Sequence, residues 1–177
     1  APLMESDLRA KPHLQLLASD ASEEGLGGCA APITESHWQQ LFRLAEERGC
    51  HVRLDWQAGQ VARLVDNRSS ACGLALQASW GVTLQVPVRR PKHINLLELE
   101  AVFRVIESVG KSGVRRARLL LLVDSQVTVG AVSKGRSSSR RVNYWLRRIA
   151  GVCLSYGLSV DVVWIPTKAN PADAPSR

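Results

Sequence analysis

The chain has 177 residues, 45% of them hydrophobic, which suits one folded domain with a core of its own. A formal charge of +7 suggests a polyanionic partner and says nothing about fold. The longest run of large apolar residues, Leu119 to Val123, is too short to span a bilayer, and Glu5 and Asp7 exclude a secretory signal at the start.

In chain order, residues 1–12 read as a polar lead-in. "HLQLLASD" alternates and places Leu14, Leu16, Ala18 and Asp20 on one face of a strand. "ASEEGLGG" reads as a Gly-rich turn and "CAAPI" as the returning strand of a hairpin. "SHWQQLFRLAEERG" fits an amphipathic helix, with a capping box of Ser36 and Gln39, an apolar stripe of Trp38, Leu41, Phe42 and Ala45, and Gly49 as its stop. Signals from Cys50 to Ala78 are short and mixed, and residues 33–78 are expected to form an insertion after the first hairpin.

"WGVTLQVPV" predicts a strand closed by Pro87, and "RRPKH" a basic loop. "INLLELEAVFRVIESVG" carries the clearest helix pattern, and "RARLLLLVD" is a strand of the kind buried on both faces. "SQVTVGAVSKG" predicts a short helix, "SSSRRVNYWLRRIAGVCLSYG" a longer one with a serine cap and Gly157 as its stop, and "LSVDVVWIP" the last strand. Hairpin strands followed by strand–helix–strand units imply an α/β fold whose sheet is mixed, antiparallel at first and then parallel. In such sheets ligands gather at the carboxyl ends of the parallel strands, where Asp124 falls.

Four cysteines, Cys29, Cys50, Cys72 and Cys153, lie far apart with no CxxC pair. A zinc set of Cys29, Cys50, His51 and Cys72 is conceivable, but small buried thiols in a reducing, intracellular compartment (cytoplasm or nucleus) are the reading taken here.

The carboxylates separate by their surroundings. On the helix from Asn95, Glu98 and Glu100 point about 200° apart. Ile94, Ala101, Val102, Val105 and Val109 cluster around Glu98, so that it interrupts the apolar face. Glu100 shares the other side with Arg104, Glu107 and Lys111, an ordinary solvated arrangement of i,i+4 pairs. Asp20 and Asp124 end apolar strands, and each taken singly is a strand-end cap. A buried unpaired carboxylate is costly, so the group as a whole calls for a cation or strong donors. In "NPAD", Asn170 reads as an N-cap, Pro171 as N1 and Asp173 as N3 of a closing helical turn just after the last strand.

These motifs carry a resemblance. "LLASDASEEGLGG", "HINLLELEAV", "LLLLVDSQ" and "VWIPTKANPADAPSR" resemble, in order, the first-strand Asp and Gly-rich hairpin, the E-L-x-A helix, the fourth-strand Asp and the closing hIPGxxNxxADxLSR of the RNase H domain of retroelements. DIRS-like (tyrosine-recombinase) retrotransposons and plant pararetroviruses are the most similar kinds. The match runs from Leu14 to Arg177 and departs from the family in the long segment 33–78 and in having no His after His93, Lys168 standing near the usual place.

The resemblance implies an RNase H-like fold over residues 13–177, a mixed five-stranded sheet flanked by helices. It implies a catalytic and metal-binding set of Asp20, Glu98, Asp124 and Asp173 holding two Mg²⁺ or Mn²⁺ ions, which suit hard oxygen ligands. The implied reaction is hydrolysis of the RNA strand of an RNA–DNA hybrid, leaving 5′-phosphate and 3′-hydroxyl ends, in a domain fused to or associated with a reverse transcriptase and without a membrane.

Basic residues fit that substrate. Between Lys111 and Arg148 the chain has ten Lys or Arg residues and one acid. Lys134, Arg136, Arg140 and Arg141, in "SKGRSSSRR", are expected to bind the hybrid backbone, with Ser125, Gln126, Lys168 and Asn170 nearer the carboxylates. Arg147 and Arg148 read as a solvated face, and Trp145 and Trp164 as core. A transposase or integrase needs a late Glu that this chain lacks after Asp124. The remaining alternative is a catalytically inactive RNase H-like module that binds nucleic acid or a polymerase partner.

Overall fold

A computed structural model describes residues 10–45 and 68–177. Strands β1 (Lys11–Ala21) and β2 (Gly25–Pro32) form a hairpin, followed by helices α1 (Glu35–Phe42) and α2 (Arg68–Gln77) and edge strand β3 (Gly81–Pro87). Then come α3 (Ile94–Lys111), β4 (Ala117–Val123), α4 (Gln126–Lys134), α5 (Arg140–Tyr156) and β5 (Ser159–Trp164). A 3-10 turn (Thr167–Ala169) and the short helix α6 (Asp173–Ser176) close the chain. The sheet order is β3-β2-β1-β4-β5. β2 runs antiparallel to β1 and β3, whereas β4 is parallel to β1 and β5. The expected mixed five-stranded α/β sheet flanked by helices is the one observed.

β4 explains the layering. All but one of its residues are buried, and alternation sends successive leucines to opposite sides. Leu119, Leu121 and Val123 pack with Leu99, Val102, Val105 and Ile106 of α3 and with Trp145 and Leu146 of α5. Leu120 and Leu122 join Leu16 and Ala18 of β1, Trp38 and Leu41 of α1, and Ala71 and Ala75 of α2. Burying each leucine stabilises by roughly 1.5–3 kcal/mol. The described ends of segment 33–78 thus cover the second face of the sheet; Cys50, His51 and the stop expected at Gly49 lie outside the described residues. Among the described residues no helix is long and apolar enough to cross a membrane.

Several local expectations change. β1 starts at Lys11, inside the stretch read as lead-in, and Leu14 is 45% exposed because the register with β4 shifts between Pro12 and Leu16. The glycines read as a turn belong to β2, since Asp20 pairs with Gly27 and Ser19 with Gly28, leaving Ser22–Glu24 as the turn. α1 is capped by Thr34, whose hydroxyl accepts from the His37 N–H at 3.2 Å, rather than by Ser36. Ser125 and Ser139 cap α4 and α5, and Gly135 and Gly157 end them in the left-handed conformation. Glu100 is buried rather than solvated: Lys92 from the preceding loop covers it in an ion pair, with Arg104 at 3.7 Å.

Candidate metal centre

Three elements bring carboxylates to the carboxyl edge of the parallel strands. Asp20 lies next to last in β1, Asp124 follows β4, and Glu98 reaches in from the second turn of α3. Asp20 and Glu98 are buried and Asp124 partly so; a ligand oxygen from each lies within 4.8 Å of the other two. Glu98 comes here because α3 packs its apolar stripe on the sheet, and a side chain within that stripe has nowhere else to go.

The cluster is electrostatically costly. Burial, reinforced by Asp20 and Asp124, pushes the Glu98 carboxyl up to about 8. Its Oε2 is buried without a hydrogen-bond partner among the described residues. Burial also raises Asp20 to about 6; a hydrogen bond from Ser176 lowers it, while Asp124 and Asp173 raise it again. A buried oxygen set of this kind, with one oxygen unsatisfied, fits a divalent cation such as Mg²⁺ or Mn²⁺.

Asp173 lies outside this three-residue cluster. Its charge reaches Asp20, but both of its oxygens accept from Arg177, at 3.1 Å from Nε and 2.8 Å from Nη2. Asn170 is buried, and its amide is used internally. Its Oδ1 accepts from the Ala172 N–H at 3.1 Å in the turn before α6, and its Nδ2 donates to the Ser19 carbonyl at 3.1 Å. The helix itself starts later than expected, with Ala172 rather than Asn170 at the N-cap and Asp173 as its first residue rather than its third. Asn170 fastens the closing segment to β1.

The remaining residues considered for nucleic-acid contact divide by exposure. Lys134, Arg136, Arg140, Arg141, Gln126 and Lys168 are exposed. Ser125 is partly buried and caps α4 next to Asp124. Arg147 is solvated as expected, but Arg148 lies 4.2 Å over the Phe103 ring. Trp145 is core.

Two contributors were missed. Trp164 donates its indole N–H to the Asp124 carbonyl at 2.8 Å, which anchors the backbone that carries this ligand. Ser176 donates to Asp20 Oδ2 at 2.5 Å. A strand-end Trp level with Val123 is a usable signal for the first; nothing local marks the second, 156 residues from its partner.

No family model and no curated protein matches the chain. Among solved structures it is similar to the N-terminal RNase H domain of Mycobacterium tuberculosis Rv2228c, solved as a fusion with maltose binding protein, at 11% identity and a TM-score of 0.49, covering 89% of each chain. It is also similar to RNase H1 from the halophilic archaeon Halobacterium salinarum NRC-1, at 12% identity and a TM-score of 0.48, covering 90% of this chain and 92% of that one. Likeness at this level assigns no residue a role.

Proposed function

We propose that the chain is an RNase H-like nuclease of the retroelement type, which cuts the RNA strand of RNA–DNA hybrids and works beside a reverse transcriptase inside the cell. The observation that carries this reading is the convergence of Asp20, Glu98 and Asp124 within 4.8 Å at the edge of the parallel strands. The motif resemblance running from Leu14 to Arg177 supports the substrate class.

Asp20, Glu98 and Asp124 would hold a divalent ion, Mg²⁺ or Mn²⁺. Asp173 is the residue we assign to a second ion, which requires it to exchange its Arg177 partner. Bound divalent ions supply the Lewis acidity that phosphodiester hydrolysis needs. The protein's own residues prepare the place. Burial by α3 keeps bulk water from Glu98, and Trp164 fixes the backbone of Asp124. The exposed Lys134, Arg136, Arg140 and Arg141, around the α4–α5 connection, suit a nucleic-acid backbone, with Gln126 and Lys168 closer to the carboxylates in sequence. Segment 33–78 is assigned as an insertion whose ends support the second face of the sheet.

The hold of Arg177 on Asp173 favours a second reading, a silent module that binds hybrid without cutting it. Cleavage of an RNA strand labelled within an RNA–DNA hybrid separates the two. Cutting that needs Mg²⁺ or Mn²⁺ and is lost in Asp124→Asn is expected. Hybrid binding without cutting, unchanged by that substitution, supports the silent module.

A further inference from the structure

The closing segment, residues 170–177, lies against the β1–β2 hairpin so closely that side chains are missing where it touches. A Cβ added at Gly27 would meet the Ala172 carbonyl oxygen at 2.4 Å and the Ser176 nitrogen at 2.8 Å; one at Gly25 would meet the Ser176 carbonyl oxygen at 2.9 Å. These obstacles are backbone, which cannot rotate away as a side-chain tip can. The hairpin therefore presents a glycine-floored groove that only a bare backbone leaves open.

Two further contacts hold the segment in that groove. Asn170 reaches β1 through the Ser19 carbonyl at its upstream end. The Ser22 hydroxyl, in the hairpin turn, donates to the Ser176 carbonyl at 2.5 Å. Ser176 is fully buried, and its own hydroxyl lies 2.5 Å from Asp20 Oδ2 and 2.9 Å from the Asp173 carbonyl. Its single proton satisfies one of these acceptors at a time, and the charged, shorter one is favoured. Asp20 is thus held at Oδ2 by Ser176, with a further hydrogen bond from the Ala21 backbone, while a ligand oxygen of the same carboxylate belongs to the three-residue cluster.

We propose that Ser176 is a positioning residue for the metal centre: seated by the groove at Gly25 and Gly27, it fixes the orientation of the Asp20 carboxylate toward the ion. The inference rests on the metal-binding reading above. A hydroxyl that only filled space would be replaceable by a methyl group at no cost to the ion. A group that orients a metal ligand is worth about 10- to 100-fold in metal affinity.

The test is Mn²⁺ titration of the metal-free chain, with free Mn²⁺ read by electron paramagnetic resonance, in the unsubstituted protein, Ser176→Ala, Ser176→Thr and Asp124→Asn. Thermal melts without metal accompany each titration. Binding that is lost in Asp124→Asn establishes the centre itself; without that loss, the metal reading fails first. Given it, Ser176→Ala is expected to bind Mn²⁺ about 10-fold more weakly or worse, with Ser176→Thr closer to the unsubstituted protein. Should Ser176→Ala not fold, Ser176→Cys, which keeps the volume but is a weaker donor, takes its place with the same expectation. A lower melting temperature with unchanged Mn²⁺ affinity overturns the proposal and leaves Ser176 as packing alone.

Discussion

The two halves of the sheet are filled by different means. In the parallel half, β4 presents leucines to both sides, and the helices meet the sheet through buried apolar side chains. In the antiparallel half, β2 offers Gly25, Gly27 and Gly28, and the space their side chains would occupy is taken up by the backbone of the closing segment, by Val105 and by Leu84. The first half buries leucines on both faces; the second adds, to a smaller apolar cluster of Ala21, Leu26, Leu97 and Ala101, a close approach that an added Cβ would prevent. The carboxylates stand on the seam. Asp20 lies next to last in the strand that both halves share, Asp124 follows the apolar strand, and Ser176 comes from the segment lying on the glycines. An apolar floor beside a backbone-lined groove gives the centre two supports of different kinds.

That contrast is open to direct attack. Leu121 is fully buried in the parallel half, and Leu121→Ala is expected to cost about 2–5 kcal/mol in denaturant unfolding, felt by the whole domain. Gly27→Ala forces a collision and is expected to cost less, about 1–3 kcal/mol. Its damage should be local: amide exchange of residues 170–176 rises while β4 stays protected. Equal loosening of both regions by Gly27→Ala would mean that the closing segment and the core unfold as one unit, and the contrast would collapse.

A smaller effect is expected with pH. A carboxyl whose pKa is higher in the folded chain than in the unfolded one binds its proton more tightly when folded. It stabilises fully below its unfolded value, and that contribution is lost as pH rises through the folded value. For Glu98 the window runs from its ordinary 4.5 to about 8, and for Asp20 from 3.8 to about 6. Metal-free protein is therefore expected to melt at lower temperature as pH rises across these windows, with a shallower slope in Glu98→Gln. Added Mg²⁺ should restore stability most at the alkaline end, where the ligands are ionised. Melts in chelator and in Mg²⁺ across that range check both signs; identical slopes in Glu98→Gln would show that Glu98 ionises freely in the folded chain.

What the sequence made legible follows the same division. Glu98 stood out because an acid within an apolar helical stripe has no solvated alternative, and Asp124 because five apolar residues lead into it. The parallel half is written in side chains, so its pattern is local. The antiparallel half is written in what is absent: a glycine in a turn and a glycine under a neighbouring backbone look the same until the neighbour, far along the chain, is known. Asn170 and Ser176 were obscured for that reason, since each acts on β1 across a long span of sequence. Glu100 was misjudged because a helical wheel shows only its own helix, and Lys92 comes from outside it. Asp173 reads equally as a ligand or as a helix-start acid, and its partner Arg177, four residues on, gives it a third employment.

The most direct measurement is the anomalous diffraction signal of a crystal of the chain soaked in Mn²⁺. A peak among the carboxylate oxygens of Asp20, Glu98 and Asp124, absent from Asp124→Asn, is the expected result. A fully ordered cluster with no peak there, or manganese bound only elsewhere on the surface, would contradict it and leave three buried carboxylates without a cation to explain them.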